Sequence, residues 1–130
     1  MSAPNIVNVS TITGKIFYDA LADTNLTSLV LNPASSSKVF KINSLTAANV
    51  DGSSACAVDV SYHPSTTTAV GSTVSSTGYA IASTITVPAD ATLVVISKDT
   101  AIYMEESSVL AVKAAVANDI VFVVSYEEIS

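Results

Sequence analysis

The chain has 130 residues, 49% hydrophobic and only 12% charged, with a net charge of −6. One domain of this length buries roughly two-thirds of its unfolded surface, so folding requires no metal or disulfide. All five basic residues are lysines (15, 38, 41, 98 and 113) and arginine is absent, which argues against phosphate recognition and nucleic-acid binding. The acidic balance disfavours anionic lipid, and no apolar run approaches the ~18 residues of a membrane span.

Ser, Val, Ala and Thr dominate, and the pattern of β-branched and small polar residues suits pleated, half-buried surface. Met1 to Ser10 reads as an extended N-terminal segment without a secretory signal, carrying a short apolar run from Ile6 to Val9. Ile12 to Tyr18 is the next strand, with Gly14 expected as a bulge. Leu26 to Leu31 follows, closed by Asn32-Pro33 and a serine loop. Lys38 to Val50 is a longer strand with Phe40 and Ile42 on one side. Asp51-Gly52 predicts a hairpin leading into Cys56, Val58, Val60 and Tyr62, whose alternation marks a strand with one buried face.

His63-Pro64 is expected to end that strand, and 65–78 reads as a long, exposed Ser/Thr-rich loop. Alternation resumes at Tyr79, Ile81, Ile85 and Val87, and Pro88-Ala89-Asp90 is a turn. Leu93 to Ile96 is continuously apolar, the pattern of a strand covered on both faces. Ala101 to Met104 is short and extended. Val109 to Val116 is rich enough in Ala for a helix, but its length and alternation favour a strand. Asn118-Asp119 turns into a last strand through Ile120, Phe122, Val124 and Tyr126. About nine short strands separated by turns predict one all-β domain, an antiparallel β-sandwich for which a jelly roll is one topology.

The residues offer little chemistry. His63, the single histidine, is expected on a surface turn, and no Gly-x-Ser-x-Gly elbow is present. Cys56 cannot form an intramolecular disulfide and reads as a buried small hydrophobe. One Cys and one His do not make a usual zinc site, and the acidic residues match no calcium loop. Asp99 and Glu106 are a conceivable carboxylate pair, but the chain has no Trp to serve as a sugar platform. No catalytic, cofactor or metal residue is assigned, and no enzyme activity is expected. Leu93 to Ile96 and Val121 to Val124 are apolar on both sides of the strand, which suggests that an outer sheet face is covered, either by another subunit or by loops of the same chain.

The segment from Val87 reads Val-Pro-Ala-Asp-Ala-Thr-Leu-Val-Val-Ile-Ser-Lys-Asp-Thr-Ala-Ile-Tyr-Met-Glu-Glu. The chain closes with Val-Val-Ser-Tyr-Glu-Glu-Ile-Ser. Together with the opening Met-Ser-Ala-Pro-Asn-Ile-Val and Ser-Lys-Val-Phe-Lys-Ile-Asn-Ser-Leu, this resembles a group of small structural proteins of tailed bacteriophages, cyanophages included. Glu106-Ser107-Ser108 departs from the Glu-Gly-Asp-Ser usual there, which removes a glycine turn and a carboxylate.

The resemblance implies a virion protein assembled in the host cytoplasm, in first place a capsid decoration or cement protein. It also implies homo-oligomers, typically trimers, and the major capsid protein as partner. Ile6, Val7, Val9, Tyr103, Glu105 and Glu106 are the expected interface residues. The alternatives are a tail, neck or fibre module, and a host-glycan-binding module using Tyr62, Tyr79 and Tyr103.

Overall fold

A computed structural model describes residues 9–130. They form two antiparallel sheets packed face to face. The strands are β1 (Ile12–Ala20), β2 (Thr27–Asn32), β3 (Val39–Asn49), β4 (Cys56–Pro64), β5 (Tyr79–Val87), β6 (Thr92–Ile96), β7 (Ile102–Met104), β8 (Ser108–Ala114) and β9 (Ile120–Ile129). The first sheet has the order β1-β9-β3-β6, with β7 also on β3, and the second has the order β2-β8-β4-β5. Each early strand lies beside a late one: β1 with β9, β2 with β8, β3 with β6 and β7, β4 with β5. Chain order crosses between the sheets at nearly every connection, which makes the sandwich a jelly roll whose sixth strand is split into β6 and β7.

The alternation read from the sequence has a direct physical cause. Leu45, Ala47, Ile120, Phe122 and Val124 of the first sheet meet Val58, Val60, Leu110, Val112 and Ala114 of the second in one continuous core. Cys56 lies in that core as a free, buried thiol. The alanine-rich stretch is the central strand β8, buried on both faces from Ser108 to Val112. Leu110 and Val112 belong to the main core, whereas Val109 and Ala111 pack under Val74. Two-sided burial explains why Val109 and Ala111, between Leu110 and Val112, are apolar as well.

Several expectations are corrected. Asp51-Gly52 makes no hairpin, because β3 and β4 belong to different sheets. Residues 50–55 instead arch across the ~10 Å between the layers. Buried Asn49 holds this arch: its amide donates to the carbonyls of Ser54 (2.9 Å) and Val87 (3.0 Å), and its carbonyl accepts from Asp51 N–H (2.9 Å). Gly14 is no bulge, since β1 pairs with β9 without a shift from Ile12↔Ile129 to Ala20↔Val121. Leu93 to Ile96 is not covered on both faces, because Val94 is 57% exposed.

The stretch 65–78 is not simply an exposed loop. Val74 is buried, Ser28 N–H donates to Ser72 C=O (2.9 Å), and Val74 N–H donates to Leu26 C=O (2.8 Å). This segment lies along the free edge of β2 and covers part of the outer face of the second sheet.

Candidate interaction surfaces

Register and alternation define the outer face of the first sheet. Phe122 and Val124 point inward, so Val121, Val123 and Ser125 point out. Across four strands, Tyr18 pairs with Val123, Val123 with Thr46, and Thr46 with Val94. The next row is Ala20, Val121, Ala48 and Thr92, and the row on the other side starts with Ile16, Ser125 and Ser44. No formal charge interrupts these three rows. Tyr18 is 69% exposed and Ile16 66%. Charge returns only towards the end of the sheet, where Lys41 lies between Glu127 and Tyr103. An uncharged band in which Ile16, Tyr18, Val94, Val121 and Val123 supply the apolar surface is a candidate contact face.

The expected interface residues are only partly brought together. Ile6 and Val7 lie outside the described residues. Val9 is half-buried and leads into β1 at the end of the sheet where β9 finishes. Tyr103 is exposed on β7 beside Lys41, at the same end. Glu105 is exposed, and its backbone carbonyl accepts from the Ser108 hydroxyl (2.6 Å). Glu106 is engaged inside the chain, with Oε2 accepting from Ser37 N–H (2.9 Å). The sequence expectation pointed to the runs that hold Val94, Val121 and Val123 but missed Ile16, Tyr18 and Thr46, because only strand pairing places them in the same band.

The same end of the sheet carries the ion pairs. Glu128 receives Lys38 at 2.9 Å and Lys15 at 3.3 Å. Burial opposes its ionisation, but hydrogen bonds and charge from the two lysines outweigh burial and hold its carboxyl below the usual range.

Comparison with protein-family models, curated proteins and solved structures gives no match. The surfaces themselves therefore carry the functional argument.

On the outer face of the second sheet lies a cavity of about 500 Å³, lined among others by Asp59, Ser61, His63, Ser76, Gly78 and Lys113. His63 is 2% exposed, a correction to its expected place on a surface turn. It lies within β4, two residues after Ser61 and so on the same face. Its Nε2 is 2.7 Å from Ser61 Oγ, and its Nδ1 is 3.1 Å from the Ser76 carbonyl. A carbonyl only accepts, so Nδ1–H donates to it, and in the neutral ring Nε2 then accepts from the Ser61 hydroxyl. The ring lies so close to Gly78 that a Cβ there would come within 2.3 Å of it. His63 thus clamps the 65–78 segment onto β4. Nothing in the local sequence could show this, because Ser76 and Gly78 reach the ring only through the fold.

Asp59 is also engaged, with Oδ1 accepting from Thr84 N–H at 2.8 Å. Among the described residues no group of three or more His, Cys, Asp or Glu side chains could hold a metal ion. The aromatic residues considered for sugar binding are not gathered: Tyr62 and Tyr79 pair across β4 and β5, whereas Tyr103 belongs to the other sheet.

Proposed function

We propose that this chain is a non-enzymatic virion structural protein of a tailed bacteriophage, a decoration subunit that docks on the assembled shell through the outer face of its first sheet. The observation that carries the reading is the uncharged band from Ile16 and Tyr18 through Val121 and Val123 to Thr46 and Val94. Val94, Val121 and Val123 fall in the same part of the chain that resembles small phage structural proteins.

The mechanism is linkage. A subunit that buries this band only against assembled capsomers stabilises the assembled shell over free subunits by mass action. An apolar band rimmed by polar and charged residues, such as Lys41 and Glu127, suits a repeated protein partner, because such a contact gains from area more than from charge.

The test uses phage heads stripped of this protein. Added back, the parent chain is expected to rebind and raise the melting temperature of the heads. The double variant Thr92→Lys with Val94→Lys alters two exposed side chains of the band and should fold as the parent does. It is expected to lose rebinding. If it rebinds like the parent, the band is not the docking face. If the parent itself ignores heads, the decoration reading fails and tail and fibre components are the next targets.

A further inference from the structure

A jelly roll has four sheet edges, and three of them here are guarded. The edge of β2 is bonded to the 65–78 segment, with Ser28 N–H donating to Ser72 C=O and Gly71 N–H to Ser28 C=O, both at 2.9 Å. The edge strand β5 is interrupted by two register shifts against β4 and by Thr84 at φ 51°, a left-handed conformation that a β-branched residue rarely adopts. Opposite β1 in the first sheet, the edge is broken into the five-residue β6 and three-residue β7. Short, bulged or covered edges are the ordinary defences against strand pairing.

Among the described residues, β1 has none of them. It runs for nine residues in unbroken register with β9, is exposed at every position except Asp19, and pairs with no second strand among the described residues. Lys15 deters pairing only where no carboxylate lies opposite it: its side chain is 3.3 Å from Glu128 yet remains 48% exposed, open to a second carboxylate. A long, regular, unguarded edge is a template for strand addition.

The sequence of β1 selects the partner. An antiparallel strand pair with two-fold symmetry sets one residue opposite its own copy. Centring on Lys15 opposes two like charges. Centring on Ile16 sets Lys15 against Phe17 and Asp19 against Thr13. Centring on Tyr18 sets Asp19 against Phe17. Only centring on Phe17 places Lys15 opposite Asp19, twice by symmetry, with Ile16 opposite Tyr18 and Gly14 opposite Ala20. Charge then meets opposite charge and apolar meets apolar along the strand.

We propose that β1 is the contact strand of a two-fold homodimer, paired antiparallel with its own copy about Phe17. Asp19 has no cation within 4 Å among the described residues, and the partner's Lys15 supplies one. The two outer apolar bands become one continuous surface across the pair. This two-fold contact differs in symmetry from the trimer implied by the family resemblance. It does not depend on a shell partner, and the Thr92 and Val94 substitutions leave it untouched, so the two readings fail separately.

The test is sedimentation equilibrium of the full chain over a concentration series. The parent is expected to dimerise. Asp19→Lys and Lys15→Glu are each expected to weaken dimerisation by about tenfold or more, because each sets like charges opposite one another twice. Mixed together, the two variants are complementary at both sites and are expected to recover dimers, a result that lost stability in either variant would not produce. Cys56 is buried, so Phe17→Cys introduces the one exposed thiol. It is expected to cross-link to its own copy under mild oxidation, while Thr13→Cys does not. A single-chain mass throughout, no recovery on mixing, or cross-linking at Thr13→Cys as fast as at Phe17→Cys would each overturn the proposal.

Discussion

Gly78→Ala is the sharpest perturbation of the fold available. An added Cβ would lie 2.3 Å from both Cε1 and Nε2 of His63 and 2.7 Å from Nδ1. These contacts are far inside van der Waals distance, so the ring or the backbone must move by about 1 Å or more. The ring is 2% exposed and held at both nitrogens, by Ser61 at 2.7 Å and Ser76 at 3.1 Å.

Overpacking a buried site costs about 1–3 kcal/mol. Breaking a buried hydrogen bond adds about 1 kcal/mol. We expect Gly78→Ala to destabilise by roughly 2–4 kcal/mol in urea unfolding, with an unchanged slope. The decisive assay is a double-mutant cycle with His63→Ala, which removes the clashing ring. Gly78→Ala should then cost about 1 kcal/mol or less in the His63→Ala background. If Gly78→Ala lies within about 0.5 kcal/mol of the parent, or costs the same with and without the ring, the clamp reasoning is wrong.

Three further outcomes follow from the same physical picture. Asn49→Ala strands two carbonyls and one N–H in the arch between the sheets and is expected to cost about 2–4 kcal/mol by chemical denaturation. Phe122→Ala, at a fully buried central position, is expected to cost about 3–5 kcal/mol, with the slope again unchanged. Glu128 has a folded-state pKa below its ordinary value of 4.5, so its stabilising contribution is complete above that pH and is lost as pH falls through the folded value. Glu128→Gln should therefore flatten this part of the acid limb of a stability–pH curve, and an unchanged limb would show that the two lysines do not stabilise the carboxylate.

Much of the strand inventory was legible in the sequence because it depends on a local period of two. The bounds of Tyr79 to Val87 were readable, though not the register shifts and left-handed Thr84 that break its expected alternation and leave Tyr79, Ile81 and Ile85 exposed, and Cys56, Val58 and Val60 were correctly placed on a buried face. The Val109 stretch was ambiguous because its alanines also suit a helix, and its length and the alternation of Leu110, Val112 and Ala114 pointed to the strand that the structure has, buried on both faces from Ser108 to Val112. The all-β class and the sandwich were thus determined by local pattern and turn spacing alone.

The tertiary structure decided what depends on partners distant in sequence. Asp51-Gly52 carries a hairpin signal whether the chain folds back or crosses between sheets; the length of 50–55 and the buried Asn49 bonds send it across. His63 next to Pro64 looks like a turn until Ser76 and Gly78 close over the ring. Ile12 to Tyr18 reads as any other strand, and its place at an open edge follows only from the pairing order β1-β9-β3-β6. Alternation reports which side of a strand is apolar, but not whether that side meets the core, solvent or another subunit, because that choice rests on hydrogen-bond pairing between segments as far apart as β1 and β9.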